Sequence, residues 1–181
     1  MPAYREVIAF WFDEVEPKAW WAVDPAFDAV IRERFGDTLA RAAKAELHQW
    51  RREPEGRLAE IVVLDQFSRN IHRNTPLAFA QDPLALALAQ EAIAAGAAPG
   101  LEPTKRTFLY MPFMHSESKA IHQWAEALFR EDGIDEDNLK YELRHKAIID
   151  RFGRYPHRNE ILGRVSSAEE LEFLQQPGSR F

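Results

Sequence analysis

The sequence predicts an all-α protein of antiparallel helical hairpins, and three observations carry that prediction. Ala, Glu and Leu, which favour helix, dominate the composition, while the strand-favouring Val and Thr are scarce. Capping side chains stand directly before proline at Asp24-Pro25, Thr75-Pro76 and Asp82-Pro83, the pattern of a helix N-terminus. Apolar residues recur at three- and four-residue intervals along most of the chain.

Taken in order, Tyr4, Val7, Ile8, Trp11 and Val15 mark a first helix near 3–15. Phe27, Val30, Ile31 and Phe35 mark a second near 25–35, with Gly36 as its expected C-terminal cap. Leu39, Ala43, Leu47 and Trp50 form the stripe of a third, near 38–52. The fourth, near 55–72, is apolar on nearly all sides through Leu58, Ile61, Val62, Leu64 and Phe67, so it is expected in the interior. An Ala/Leu-rich fifth helix runs near 83–95, and 96–103 is the longest loose stretch.

A sixth helix near 104–113 contains Pro112, which should interrupt or kink it and leave His115 and Glu117 at a junction. Ser116 is the expected N-cap of the seventh, near 117–131, with Glu117 favoured by the helix dipole. The eighth, near 136–152, aligns Tyr141, His145, Ile148, Ile149 and Phe152 on one face and ends at Gly153. Ser166 with Glu169, or Ser167 with Glu170, gives a capping box for a ninth near 167–175. Short connections put consecutive helices side by side in one domain spanning 1–181, and no internal repeat is evident.

Composition excludes several classes of function. A net charge of −6 argues against a nucleic-acid or anionic-membrane binder, which needs a basic face. No cysteine means no disulfide, no thiolate nucleophile and no zinc finger. The first fifteen residues lack the basic start of a signal peptide, and no apolar run reaches the ~18 residues that cross a bilayer. A cytoplasmic protein is therefore expected. No phosphate-binding loop, dinucleotide fingerprint or nucleophile elbow is present, so no cofactor is expected. His115-Ser116-Glu117 has half of the zinc-deaminase pattern, but the other half requires cysteines, and no metal site is expected.

Polar residues on apolar faces are the chemical signal. Asp65, Arg69 and His72 follow at i, i+4 and i+7 on the buried side of the fourth helix, where a carboxylate is costly unless paired. A structural ion pair between Asp65 and Arg69 explains this as readily as a binding role. His145 lies on an apolar face, where histidine is most often a satisfied core residue. Arg144 to Arg164 carries six bases against two acids, directly after Glu126 to Glu142 with seven acids against two bases. Such segregation makes either a local anion site or a basic loop paired with its acidic neighbour.

Several of these positions fall within ordered blocks that resemble one bacterial family, the domain of unknown function numbered 924. The blocks are Leu64-Asp65-Gln66-Phe67-Ser68-Arg69-Asn70-Ile71, Ala78-Phe79-Ala80, Tyr110 to Glu117, Arg151 to Asn159, Leu162-Gly163-Arg164 and Glu169-Glu170, and the match spans roughly residues 4–175. The family pattern usually carries Pro where this chain has Ser68. The resemblance implies a tetratricopeptide-like right-handed superhelical array and no established activity.

Three functions follow as expectations. In the first, a small anionic molecule or peptide carboxylate is held by Arg69, Arg151, Arg154 and Arg158. Asp65, Gln66 and Asn70 orient it, and His115, Glu117, His145, His157 and Asn159 complete the pocket. In the second, a hydrolase draws its acid and base from Asp65, Glu117 and one of His115 or His145, with or without a divalent metal. In the third, the helical surface is a protein-interaction module.

Overall fold

A central helical rod organises the packing. In the computed structural model, which describes residues 3–181, α3 (Pro54–Val62) passes through a single π turn (Val63–Phe67) into α4 (Ser68–Ile71). Leu58, Ile61, Val62, Val63, Leu64 and Phe67 are all buried, as an interior helix requires. Packed on the rod are α1 (Tyr4–Ala9), α2 (Pro25–Ala42), α5 (Asp82–Ala94) and α6 (Pro103–Met114). Then α7 (Lys119–Phe129) packs on α6, α8 (Glu136–Phe152) on α7, and α9 (Ala168–Phe173) closes the order. No strand occurs among the described residues, so the chain is all-α. With α3 and α4 counted as one rod, eight α-helices occur among the described residues where nine are expected: the third, near 38–52, is divided between the end of α2 and a 3-10 turn at His48–Arg52.

The largest core grows around aromatic rings. α1 also runs into a π turn (Phe10–Glu14), which brings Phe10 and Trp11 against Phe67 of the rod. Phe35 lies 5.0 Å from Phe10 and 4.9 Å from Phe67, ring centre to ring centre. A smaller cluster of Ile148, Ile149 and Tyr155, with Phe152 and Phe173 against it, lies between α8 and α9.

Four local expectations are corrected. Gly36 does not end its helix: α2 continues to Ala42, because Ile31, Phe35, Thr38 and Ala42 extend one buried stripe past it. That burial outweighs the roughly 0.5–1 kcal/mol that glycine costs inside a helix. Asp82 does not cap α5, whose first residue it is; its carboxylate points back to two arginines. Thr75 accepts no capping bond either, its hydroxyl instead donating to the His72 carbonyl. Ser118, not Ser116, caps α7, and the carboxylate of Glu117 is engaged elsewhere. Asp24, Gly153 in the left-handed conformation (φ 72°) and the Ser167–Glu170 capping box behave as the sequence predicts.

Candidate functional site

The π turn of the rod carries Asp65 and Gln66, and turns of this kind gather at functional positions because they aim side chains that an unbroken α-helix would aim elsewhere. Asp65 is 1% exposed and its carboxylate is fully engaged. His115, at the end of α6, meets Oδ1 through Nδ1 at 2.7 Å. The Gln66 amide donates to Oδ2 at 2.6 Å, and Arg69 donates to Oδ1 at 3.2 Å and to the Asp65 carbonyl at 2.8 Å. Because an ionised carboxylate only accepts, the His115 proton sits on Nδ1 and Nε2 keeps its lone pair. No hydrogen-bond partner of Nε2 occurs among the described residues.

Arg69 also reaches across to Asp82, with Nη1 and Nη2 donating to its two oxygens at 2.8 and 3.0 Å. Arg158, 5% exposed, donates to the same carboxylate at 3.3 Å and to the His115 carbonyl at 3.1 Å, leaving its Nε without an acceptor. Its guanidinium lies 4.5 Å from the Phe79 ring centre and 4.7 Å from that of Tyr155. Two carboxylates and two guanidiniums thus balance to zero charge, which is what makes their burial tolerable.

Burial would push the Asp65 carboxyl up, but the His115 ring and Arg69 beside it reverse this and hold it well below the usual range. Burial, reinforced by Arg69, pushes His115 below its ordinary value despite Asp65. At neutral pH the pair is therefore a carboxylate hydrogen-bonded to a neutral imidazole.

A second polar chain backs the first. His122 and Glu142 are 0% exposed, with Nδ1 and Oε1 2.7 Å apart. His122 Nε2 donates to the Ser116 carbonyl at 2.8 Å, and the Tyr155 hydroxyl, 3.0 Å from it, donates to the Met114 carbonyl. Burial pushes the Glu142 carboxyl up, partly offset by the hydrogen bond to His122. Glu117 accepts from the Tyr155 amide at 2.6 Å and from Arg164 Nη1 and Nη2 at 2.7 and 2.9 Å. This network fixes the turn after α8, which supplies Arg158.

Of the residues singled out from the sequence, Asp65, Gln66, Arg69, His115 and Arg158 come together. Asn70 faces the other way and donates to Asp28, which Arg73 also holds. Arg151 pairs with Glu169 on the surface, and Arg154 pairs with Glu170. Asn159 is taken up by Ser166 and Arg164. His145 and His157 flank Tyr155, where their rings lie 5.7 and 5.9 Å away. Asp82, Glu142 and Tyr155 were missed. Glu142 had a legible signal, since it precedes His145 by three residues on the buried face of α8. Among the described residues, no three His, Cys, Asp or Glu converge as a metal site, and no helix is long and apolar enough to cross a membrane.

Fold and cluster together define an all-helical protein with a buried, charge-balanced Asp–His–Arg site. The chain belongs to the family described as bacterial protein of unknown function (DUF924), whose model matches residues 7–178. It is also similar to a solved protein of unknown function, ATU0120 from Agrobacterium tumefaciens, at 38% identity and a TM-score of 0.90, over 95% of this chain and 96% of that one. No curated protein matches.

Proposed function

We propose that the protein binds a small anionic molecule or a peptide carboxylate at His115, within the cluster that holds Arg69 and Arg158, with the protonated His115 ring supplying the net positive charge. The observation that carries this reading is the 2.7 Å contact between buried Asp65 and His115 Nδ1, which leaves Nε2 as an oriented acceptor on a residue whose carboxylate partner Arg69 also holds and whose carbonyl Arg158 holds. Arg151 and Arg154 drop out of the expected anion site, because they pair with Glu169 and Glu170 outside the Asp65–His115–Arg158 cluster. The buried charges sum to zero with His115 neutral, so an arriving anion favours the protonated ring and binds with uptake of one proton. Affinity should therefore rise as pH falls. A thermal-shift screen of phosphorylated metabolites, dicarboxylates and short peptides at about pH 6 and about pH 8 tests this. A ligand at ~100 times its dissociation constant adds about 2.7 kcal/mol. The reading fails if nothing binds, or if hits survive unchanged in both His115→Gln and Arg158→Gln.

A second reading, a hydrolase-type enzyme, is favoured by the fixed tautomer alone. His115 Nε2 would take a proton from an attacking water while Asp65 steadies the ring. Glu117 has no part in it, being committed to Arg164 and Tyr155. Turnover of an ester and phosphoester panel that disappears in His115→Gln is the expected result, and an inert wild-type protein sinks the idea.

A further inference from the structure

The segment after α9 folds back over the far side of Tyr155. There the ring of Phe181 lies 4.0 Å from His145, 4.4 Å from His157 and 5.4 Å from Tyr155, centre to centre. His145 and Tyr155 are buried, at 6% and 0% exposure, while Phe181 itself is 52% exposed. One half-exposed ring thus seals a cage made of three aromatic side chains from α8 and the turn that follows it.

The cage is polar in a way its occupant does not use. His145 Nδ1 donates to the Tyr141 carbonyl at 2.7 Å, so Nε2 carries a lone pair, and no partner of that atom occurs among the described residues. His157 Nδ1 is buried with no hydrogen-bond partner among the described residues. Burial drives both rings down to about 3, so both are neutral acceptors or donors rather than cations. A phenyl ring leaves the buried His157 Nδ1 unsatisfied, which is costly, and gives His145 Nε2 no partner. A hollow lined by Pro156, His157, Leu171 and Leu174, with Glu160 and Arg180 also on its wall, opens beside the cage and leaves room for a substituent.

We propose that the His145–Tyr155–His157 cage is a binding site for a phenolic ring, with Phe181 as its internal, displaceable occupant. The ring of such a ligand replaces the Phe181 face contacts, and its hydroxyl donates to the bare His145 Nε2, a bond that phenylalanine lacks. These contacts are independent of the role proposed for His115.

Side-chain NMR of the histidines, with p-cresol as probe and 4-methylanisole as the analogue that cannot donate, tests the site in the full chain. In Phe181→Ala, the titrations of His145 and His157 should move up towards the ordinary histidine value as water enters. p-Cresol should bind that variant at least ~10-fold more tightly than it binds wild type, because the internal competitor is gone. It should also bind at least ~10-fold more tightly than 4-methylanisole. Phe181→Leu, which keeps apolar bulk in the cage, should bind p-cresol no better than wild type. Unchanged histidine titrations in Phe181→Ala would show that Phe181 does not seal the cage. Equal or absent binding of the two probes to that variant overturns the phenol site.

Discussion

The N-terminal two thirds and the C-terminal third of this chain are held together by different physics. From Val7 to Phe129 one continuous apolar core surrounds the rod, and stacked or tilted aromatic rings supply its bulk. Around Tyr155 the apolar cluster shrinks to a few residues, and directed polar contacts take over: Glu117 with Arg164, Arg154 with Glu170, and His122 with Glu142. Apolar burial is non-directional and tolerates small shifts, whereas hydrogen-bonded charges hold a geometry to a fraction of an ångström. The candidate site lies on the seam, with Asp65 and Arg69 delivered by the apolar rod and Arg158 by the polar turn.

Four measurements sharpen or break that comparison. The largest effect is expected at Phe67, buried at 0% among Phe10, Trp11 and Phe35. Phe67→Ala should lose about 3–5 kcal/mol in urea unfolding. A loss under ~1 kcal/mol would place the stabilising core elsewhere. Next comes Asp65→Ala, expected at about 3 kcal/mol, the lower end of the range for a broken buried pair, because Arg69 keeps Asp82. The double variant Asp65→Leu with Arg69→Met should cost much less than the single one. If it costs as much, the pair is stabilising rather than merely compensated.

The third measurement is stability against pH. His145 titrates at about 3 in the folded protein and near 6.5 when unfolded, so the unfolded chain binds the extra proton in that window. Its contribution is complete above about 6.5 and lost as pH falls towards 3, at up to ~1.4 kcal/mol per pH unit. His145→Gln should flatten the acid limb of an unfolding series between about pH 6 and about pH 4. The smallest effect is a gain. No neighbouring atom lies within 4 Å of a Cβ built at Gly36, in the middle of α2, so Gly36→Ala should add about 0.5–1 kcal/mol.

The same seam divides what the sequence discloses from what it hides. The rod and the Asp65–Arg69 pair are legible because both partners lie on one helix, where spacing dictates geometry. The His115 contact spans fifty residues and is made from a π turn, a distortion with no signature in apolar periodicity. Asp82 was hidden behind a sound local account, since Asp before Pro is a capping pattern, and tertiary attraction to Arg69 and Arg158 overrode it. Gly36 failed similarly: the cap reading weighed one residue's backbone preference, while the buried stripe of α2 acts over three turns.

The π turn also sets the phase of everything after it. Such a turn holds one residue more than an α turn, and each residue advances a helix by about 100°. The rod therefore behaves as two helices threaded on one axis with different angular settings. Its leading part presents Leu58 and Ile61 to the apolar core, and its trailing part presents Asn70 to Asp28 on α2. Excising a single residue between Val63 and Phe67 would restore a regular helix and swing the trailing part by roughly a quarter turn. Arg69 would leave Asp82 and Asn70 would leave Asp28 in the same stroke. The irregularity is thus a clutch between two faces of the protein, and the regular helix is the form in which the site cannot exist.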